Sequence, residues 1–285
     1  HSLELDRVYG VKFEVGVFTN LTRDHLDFHK TFENYYKAKF KLLERSRIKI
    51  VNIDDNYGKQ VITDLSELNS ENIFSFSVKV NLNKEESFIL NIPGEYNIYN
   101  ALGAIAACFK VGIKIESIKI GIEKAVVPGR CERVGAEYNL PYEIIIDYAH
   151  TPDGLENILK TAKAFTKGRL ISIFGCGGDR DKVKRPQMGK ISTDIADFTV
   201  ITSDNPRSEE PIDIIKDIQA GLEKENYIVI ENRKEAIKKA ITIAQKEDVI
   251  VIAGKGHETY QILKNETIHF DEREVVKEIL DSINN

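Results

Sequence analysis

The sequence predicts an α/β fold with a mostly parallel sheet, and three observations carry the prediction. From residue 143 onward, short apolar runs alternate with longer stretches of helical periodicity. Runs such as Glu143–Asp147, Leu170–Phe174 and Val249–Ala253 are apolar without polar alternation, the pattern of strands covered on both faces. Pro152, Pro186 and Pro211 stand at or just before the starts of helical stretches. Proline is tolerated there because first-turn N–H groups lack partners in any case.

In order, the first part of the chain reads as follows. Phe13–Thr19 is a strand with a polar exit at Asn20. Phe32–Leu43 is helical, with apolar residues near i, i+3 and i+4. Ile48–Ile53 is a short buried strand ended by Asp54-Asp55-Asn56, and short strands follow near Ile73–Phe76 and Phe88–Leu90. Pro93-Gly94 is a turn, Asn97–Val111 an alanine-rich helix and Ile115–Lys124 a second helix. Pro128-Gly129-Arg130 breaks the pattern, which gives a first domain at 1–127 and a second at 128–285. In the second, strands read at Glu143–Asp147, Leu170–Phe174, Phe198–Ile201, Tyr227–Ile230 and Val249–Ala253. Helices read near Pro152–Phe165, Pro186–Ile195, Ile212–Glu223 and Lys234–Gln245. Gln261–Leu263 and Thr267–Phe270 form a hairpin-like pair, and a last helix starts at Asp271 with Glu274 completing a capping box. The whole second part is expected to be a Rossmann-like sheet.

At 285 residues the chain suits two domains, or one large one, on a prior of roughly 150 residues per domain. Its 42% hydrophobic and 30% charged residues are those of a soluble globular protein. A net charge of −5 argues against a general nucleic-acid coat. The 3 cysteines, Cys108, Cys131 and Cys176, form no CxxC pair, which fits a reducing cytosol and not a disulfide scaffold or thiolate zinc site. With no apolar run of about 18 residues and no signal peptide, a cytoplasmic protein without a membrane span is expected. A monomer is expected as well. The opening His1-Ser2-Leu3-Glu4-Leu5-Asp6-Arg7 lacks an initiator Met and a helix cap, and reads as the middle of a domain.

Five segments could carry chemistry. Asp204-Asn205-Pro206-Arg207 leaves the strand Phe198–Ile201, and loops at the carboxyl ends of parallel strands are where open α/β sheets place ligands. Its Arg offers a planar fork for a carboxylate. An ordinary Asn-Pro turn with a solvated Arg is the plainer alternative. Gly175–Asp181 (GCGGDRD) follows another strand and precedes Lys182, Lys184 and Arg185. It suits an anionic ligand or a plain glycine turn, and Arg180 at the third glycine position excludes a dinucleotide fingerprint. Ala253–Glu258 (AGKGHE) lacks P-loop spacing. Arg180, Arg207 and Glu258 should leave one sheet edge, and two cations with one carboxylate fit an amino acid. Asp147 could meet a ribose hydroxyl or a metal-bound water, and His150 a phosphate or simply its own fold. Thr19–His29 is dense in polar groups, and oxygen ligands there would favour Mg²⁺ over zinc. Lys37, Lys39 and Lys41 read as a solvated basic face.

Taken in order, TNLTRDHLDFH, YYKAKFKLL, GEYNIYNALGAIAA, VPGRCERV, DYAHTPD, FGCGGDRDKVKRPQMG, SDNPRSEEP and AGKGHETYQ resemble the Mur ligase family. Within it the match is to the synthetases that add the third residue of the muramyl peptide. The resemblance covers nearly the whole chain. It implies a partial central ATPase domain followed by a Rossmann-like C-terminal domain, with ATP and Mg²⁺ as cofactors. It implies UDP-MurNAc-L-Ala-D-Glu and meso-diaminopimelate as substrates, joined through an acyl phosphate. Lys39 falls on a family lysine that is carbamylated and binds Mg²⁺, and His25 on a position near the second metal. These two are the implied catalytic positions. Asn97, Arg130 and Asp147 match ATP contacts, and Arg7 matches a contact to the UDP-muramoyl substrate. Arg180, Asp204, Asn205, Pro206, Arg207, Gly254 and Glu258 match the amino-acid pocket.

The family's ATP loop, GTNGKT, and its UDP-sugar domain are absent from the chain. Phosphoryl transfer is mostly positioning and electrostatics. The chain alone is therefore expected to have little or no ligase activity, and the intact parent to be active. Two other readings compete: a non-catalytic amino-acid-binding module, and a nicotinamide oxidoreductase that the missing GxGxxG disfavours. Folylpolyglutamate synthetases share the general plan, but the DNPR loop is not expected in them. Arg207 offers a bidentate partner to a distal carboxylate, so diaminopimelate is expected over L-lysine, the substrate of the alternative homologue.

Overall fold

The computed structural model describes residues 1–79 and 88–284. The chain forms two compact units, His1–Val126 and Val127–Asn285.

The first unit contains β1 (Phe13–Phe18), α1 (Leu26–His29), α2 (Phe32–Glu44), β2 (Ser46–Asn52), α3 (Asn56–Glu67), β3 (Ile73–Phe76), α4 (Glu95–Lys110) and α5 (Ile115–Glu123). Its strands are parallel in the order β1-β2-β3. Thr31 starts α2 by accepting a hydrogen bond from Asn34 N at 3.1 Å. The helix then buries Tyr35, Tyr36 and Leu43 in one core with Val51, Val61 and Leu65. Ile48, Ile50 and Phe76 face a second core that includes Leu102 and Ala106 of α4. The sheet is thus covered on both faces, which explains the apolar run in β2.

Two differences from the sequence reading stand out here. Phe88–Leu90 is not a strand, and Ile89 is 62% exposed, so no sheet edge recruits it. Helix α3 was not anticipated, although Asp55 caps it through Gly58 N at 3.1 Å and Val61 and Leu65 stand one turn apart. Gly58 in its first turn lowers helix propensity, yet a β-carbon there would lie 1.8 Å from Asn52 O. The close return of the helix onto β2 selects glycine over a better helix former.

The second unit contains β4 (Glu132–Val134), a 3₁₀ turn (Ala136–Tyr138), β5 (Glu143–Asp147), α6 (Pro152–Phe165), β6 (Leu170–Phe174) and α7 (Lys184–Ile195). It continues with β7 (Phe198–Ile201), α8 (Pro211–Gln219), β8 (Tyr227–Val229), α9 (Arg233–Ile243), β9 (Val249–Ala253), β10 (Tyr260–Ile262), β11 (Thr267–His269) and α10 (Glu272–Asn284). The six-stranded sheet runs β4-β5-β9-β6-β7-β8, parallel apart from β4. The mixed α/β class with mostly parallel sheets is therefore as the sequence predicts. Ile144, Ile146, Ile171, Ile173, Ile250 and Ile252 pack with Ala236, Ile237 and Ile241 of α9 and Val276 and Ile279 of α10. Because β9 lies between β5 and β6, the loops after β5, β9, β6 and β7 leave four neighbouring strands at one edge.

Helix ends differ in detail. α8 stops at Gln219, before the expected Glu223, and just beyond it the chain passes Pro186 so closely that a β-carbon on Gly221 would lie 2.0 Å from its carbonyl. The capping box at α10 does not form. Asp271 accepts from Arg273 N at 2.9 Å, but Glu274 pairs with His269 at 2.5 Å instead of reaching back.

Candidate functional site

The loop after β7 is not a surface turn. Asp204 is 8% and Asn205 3% exposed, and Pro206 is also buried. Buried polar groups must find partners. Asn205 does so fully across loops: Nδ2 donates to Glu258 Oε2 at 2.9 Å, and Oδ1 accepts from Lys255 Nζ at 3.0 Å and Ile262 N at 2.9 Å. Lys255 is fully buried and also donates to Glu258 Oε2 at 3.2 Å. Asp204 accepts from Asn205 N through Oδ1 at 2.6 Å, and from Gln261 Nε2 through its carbonyl at 2.6 Å. Its Oδ2 is buried without a partner among the described residues. Gly254, at φ +124°, faces that oxygen, and a β-carbon there would stand 2.7 Å away. A side chain at 254 would be strained and would collide with the carboxylate.

The loop after β6 lies against the same segment. A β-carbon on Gly178 would stand 1.9 Å from Pro206 O. Arg207, at φ 52°, donates Nη1 to Gly178 O at 2.9 Å and to Asn205 O at 3.3 Å. The Gly177 β-carbon position is 2.9 Å from Arg207 Nη1 and 3.8 Å from Arg180 Cγ, so both Arg side chains flank one point. Arg180 is exposed and donates to Asp179 O at 3.0 Å. The two loops are cross-linked below by Arg185, whose guanidinium is fully buried. It donates to Glu209 at 2.9 and 2.8 Å, to Asp217 at 2.8 Å and to Gly177 O at 3.2 Å. Glu209 also accepts from Asp179 N at 2.7 Å. The Arg185 hydrogen bond, first among several, holds the Glu209 carboxyl down at about 2.

Asp147 ends β5 at 3% exposure, with Oδ2 accepting from Cys131 N at 2.7 Å and Oδ1 from Ala149 N at 2.8 Å. Burial pushes its carboxyl up in spite of those donors. Arg130 is exposed and stacks over Tyr148 at 4.9 Å, and Tyr148 adjoins His257 at 4.9 Å and His150 at 4.6 Å. His150 Nδ1 lies 2.9 Å from Tyr148 O.

In the first unit the three lysines of α2 part company. Lys37 pairs with Glu33 and Lys41 with Glu4, at 2.6 and 2.7 Å. Lys39, two residues from each, points elsewhere: Nζ donates to Asn20 O at 2.8 Å and lies 5.1 Å from the centre of the Tyr35 ring. Burial lowers its pKa, against the pull of Asp55 and Asp24. The solvated basic face thus holds for Lys37 and Lys41 and not for Lys39. His25 also adjoins Tyr35, at 6.3 Å, and its Nε2 is 3.4 Å from Asp24 Oδ2. Asn97, in the first turn of α4, donates Nδ2 to Pro93 O at 2.7 Å. Arg7 is exposed in a run of turns. Among the described residues no group of three or more His, Cys, Asp or Glu side chains is placed to hold a metal ion. No helix of the described residues is long and apolar enough to cross a membrane.

Sequence reasoning passed over Lys255, Arg233 and Glu272, and it grouped Arg185 with basic residues suited to an anionic ligand, whereas Arg185 is buried against Glu209 and Asp217. Lys255 carries a readable signal, since a lysine between two glycines directly after a buried strand has little room to reach water. The others pair across 24 to 39 residues, and such pairing has no local signature.

Residues 1–108 match the Mur ligase middle domain, and residues 129–256 match the Mur ligase glutamate ligase domain. The UDP-N-acetylmuramoyl-L-alanyl-D-glutamate–2,6-diaminopimelate ligase of Clostridium perfringens is 62% identical over 99% of this chain and 62% of its own length. That of Clostridioides difficile is 46% identical over 98% of this chain. The chain spans 62% of the length of these curated relatives. A solved structure of such a ligase, 32% identical, superposes with a TM-score of 0.59 over 100% of this chain and 63% of that one. A folylpolyglutamate synthase from Mycobacterium tuberculosis, 18% identical with a TM-score of 0.65, shares the fold. With its two units matching the middle and glutamate ligase domains, the chain belongs to the Mur ligase family.

Proposed function

We propose that this chain is the amino-acid-selecting part of an ATP-dependent ligase of peptidoglycan precursor synthesis. In this reading the whole ligase adds meso-diaminopimelate to UDP-MurNAc-L-Ala-D-Glu in the cytoplasm. Two observations carry it: Asp204 Oδ2, facing Gly254, is buried without a partner among the described residues, and Arg180 and Arg207 flank Gly177 on the neighbouring loop. A carboxylate oxygen without a donor favours an incoming ammonium, and the paired guanidinium groups favour carboxylates. Diaminopimelate carries both at each end, whereas L-lysine lacks the distal carboxylate. The ligases named above share this substrate in their names.

Chemically, the dipeptide's γ-carboxylate displaces ADP from the γ-phosphorus of ATP. The resulting acyl phosphate is attacked by the incoming amine, phosphate leaves and an amide forms. The aromatic cluster of Tyr148, His150 and His257, with Arg130 over the Tyr148 ring, supplies ring faces and edges for a purine in this reading. Asn97 and Asp147 are the further nucleotide contacts of this reading, and Arg7 the UDP-muramoyl contact. Among the described residues of the first unit no three His, Cys, Asp or Glu side chains come together to hold Mg²⁺. A carbamate on Lys39 supplies the missing oxygens, with His25 nearby, and the lowered Lys39 pKa favours the neutral amine that forms it. Bound Mg²⁺ would neutralise phosphate charge.

The test is amide formation and phosphate release by the whole ligase with each amino acid. Product with meso-diaminopimelate and little with L-lysine is expected. Equal turnover of both would remove the amino-acid assignment, and no turnover of either would remove the reaction.

A further inference from the structure

Arg233 opens α9 and is 1% exposed. Its guanidinium reaches two backbone carbonyls: Nη1 donates to Ser203 O at 3.3 Å and Nη2 to Ala253 O at 2.8 Å. Ser203 directly precedes Asp204, and Ala253 directly precedes Gly254. One side chain therefore grips the root of two pocket loops that leave different strands. The grip is itself held from α10. Glu272 Oε1 accepts from Arg233 Nε at 2.8 Å and lies 2.7 Å from Nη2, and neither side chain has any exposure. Glu272 Oε2 has no partner among the described residues.

Such a pair is a poor device for stability alone, because desolvating two charges offsets their attraction and apolar residues fill the space as well. Its geometry serves another end. The β-carbon position of Gly254 lies 2.7 Å from Asp204 Oδ2 and 3.6 Å from Arg233 Nη2, so the guanidinium abuts the gap between the two loops. We infer that Arg233, clamped by Glu272, is a positioning residue for the amino acid: it sets the separation of Asp204 and Gly254 and ties it to α10. This rests on the proposed amino-acid site.

The experiment is calorimetric titration of meso-diaminopimelate into the chain, its Arg233→Lys variant and its Glu272→Gln variant, each below its own melting temperature. Lysine keeps the charge but reaches only one carbonyl. Weakening by roughly ten-fold or more is expected for Arg233→Lys, since displacing a pocket group by about 1 Å can cost a hundred-fold. Glu272→Gln should weaken binding in the same direction. In the whole ligase the KM for diaminopimelate should rise while those for ATP and the muramoyl dipeptide hold. A merely structural role would move all three together or none. Wild-type affinity in a folded Arg233→Lys variant overturns the inference. If that variant does not fold, wild-type affinity in Glu272→Gln overturns it. Failure of the unaltered chain to bind removes the amino-acid site itself, and the inference with it.

Discussion

Arg207 is tied down at one corner. Nη1 is committed to Gly178 O and Asn205 O, and its φ of 52° is a conformation that non-glycine residues seldom adopt. Nε and Nη2 have no partner among the described residues, which leaves one edge of the fork for a carboxylate. Replacing Arg207 by Ala should weaken meso-diaminopimelate binding by ~1–3 kcal/mol, or about five- to 150-fold. L-lysine binding should change little. Parallel titrations check this, and unaltered diaminopimelate affinity would exclude Arg207 from recognition. Lys39 gives a second residue-scale prediction. A lowered pKa leaves more neutral amine at a given pH, and only neutral amine adds carbon dioxide. With carbon-13 bicarbonate above neutral pH, one carbamate resonance should appear and should vanish in Lys39→Ala. A resonance that survives the substitution would place the modification on another lysine.

The loops depend on close backbone approach at the scale of elements. Gly178→Ala would put a methyl group 1.9 Å from Pro206 O, a backbone atom that cannot swing aside. Overpacking of this kind typically costs ~1–3 kcal/mol, and it should separate the β6 loop from the DNPR segment. A lower melting temperature together with weakened diaminopimelate binding is expected, and a variant that melts and binds as the unaltered chain does would contradict the contact. The sheet was legible in the sequence because β5, β6 and β9 are short runs dominated by Ile, Val, Leu and Phe. α6 was legible because Thr151 and Pro152 mark its start, Thr151 accepting from Gly154 N at 3.1 Å. α3 was hidden by its first-turn glycine, and the run at Phe88–Leu90 is strand-like in composition but pairs with no strand among the described residues. The site was legible in part. Residues on strand exits could be placed at one edge, whereas the buried cations beneath them are recognised only once distant segments meet. Arg233 shows the difference: its partners Glu272, Ser203 and Ala253 lie 20 to 39 residues away in the sequence.

Each unit carries its own core, so residues 127–285 should fold as an isolated piece and melt in one cooperative transition. Non-cooperative loss of structure would show dependence on the first unit. Acid stability should also follow from a named group. Glu209 has its pKa lowered from 4.5 to about 2, chiefly by its hydrogen bond with Arg185. A depressed carboxylate contributes its full stability above the unfolded value and loses it as pH falls through the folded one. Unfolding midpoints should therefore drop between pH 4.5 and about 2, and the drop should be shallower in Glu209→Gln. Identical acid profiles would mean that the Arg185–Glu209 link bears no stability. The central claim is that the second unit selects an amino acid with a distal carboxylate. Calorimetric titration of the 285-residue chain with meso-diaminopimelate and with L-lysine tests it most directly. Saturable one-to-one binding of diaminopimelate, with L-lysine at least about ten-fold weaker, is predicted from one unpaired charged contact. Equal affinity for the two, or no binding of diaminopimelate, would contradict it.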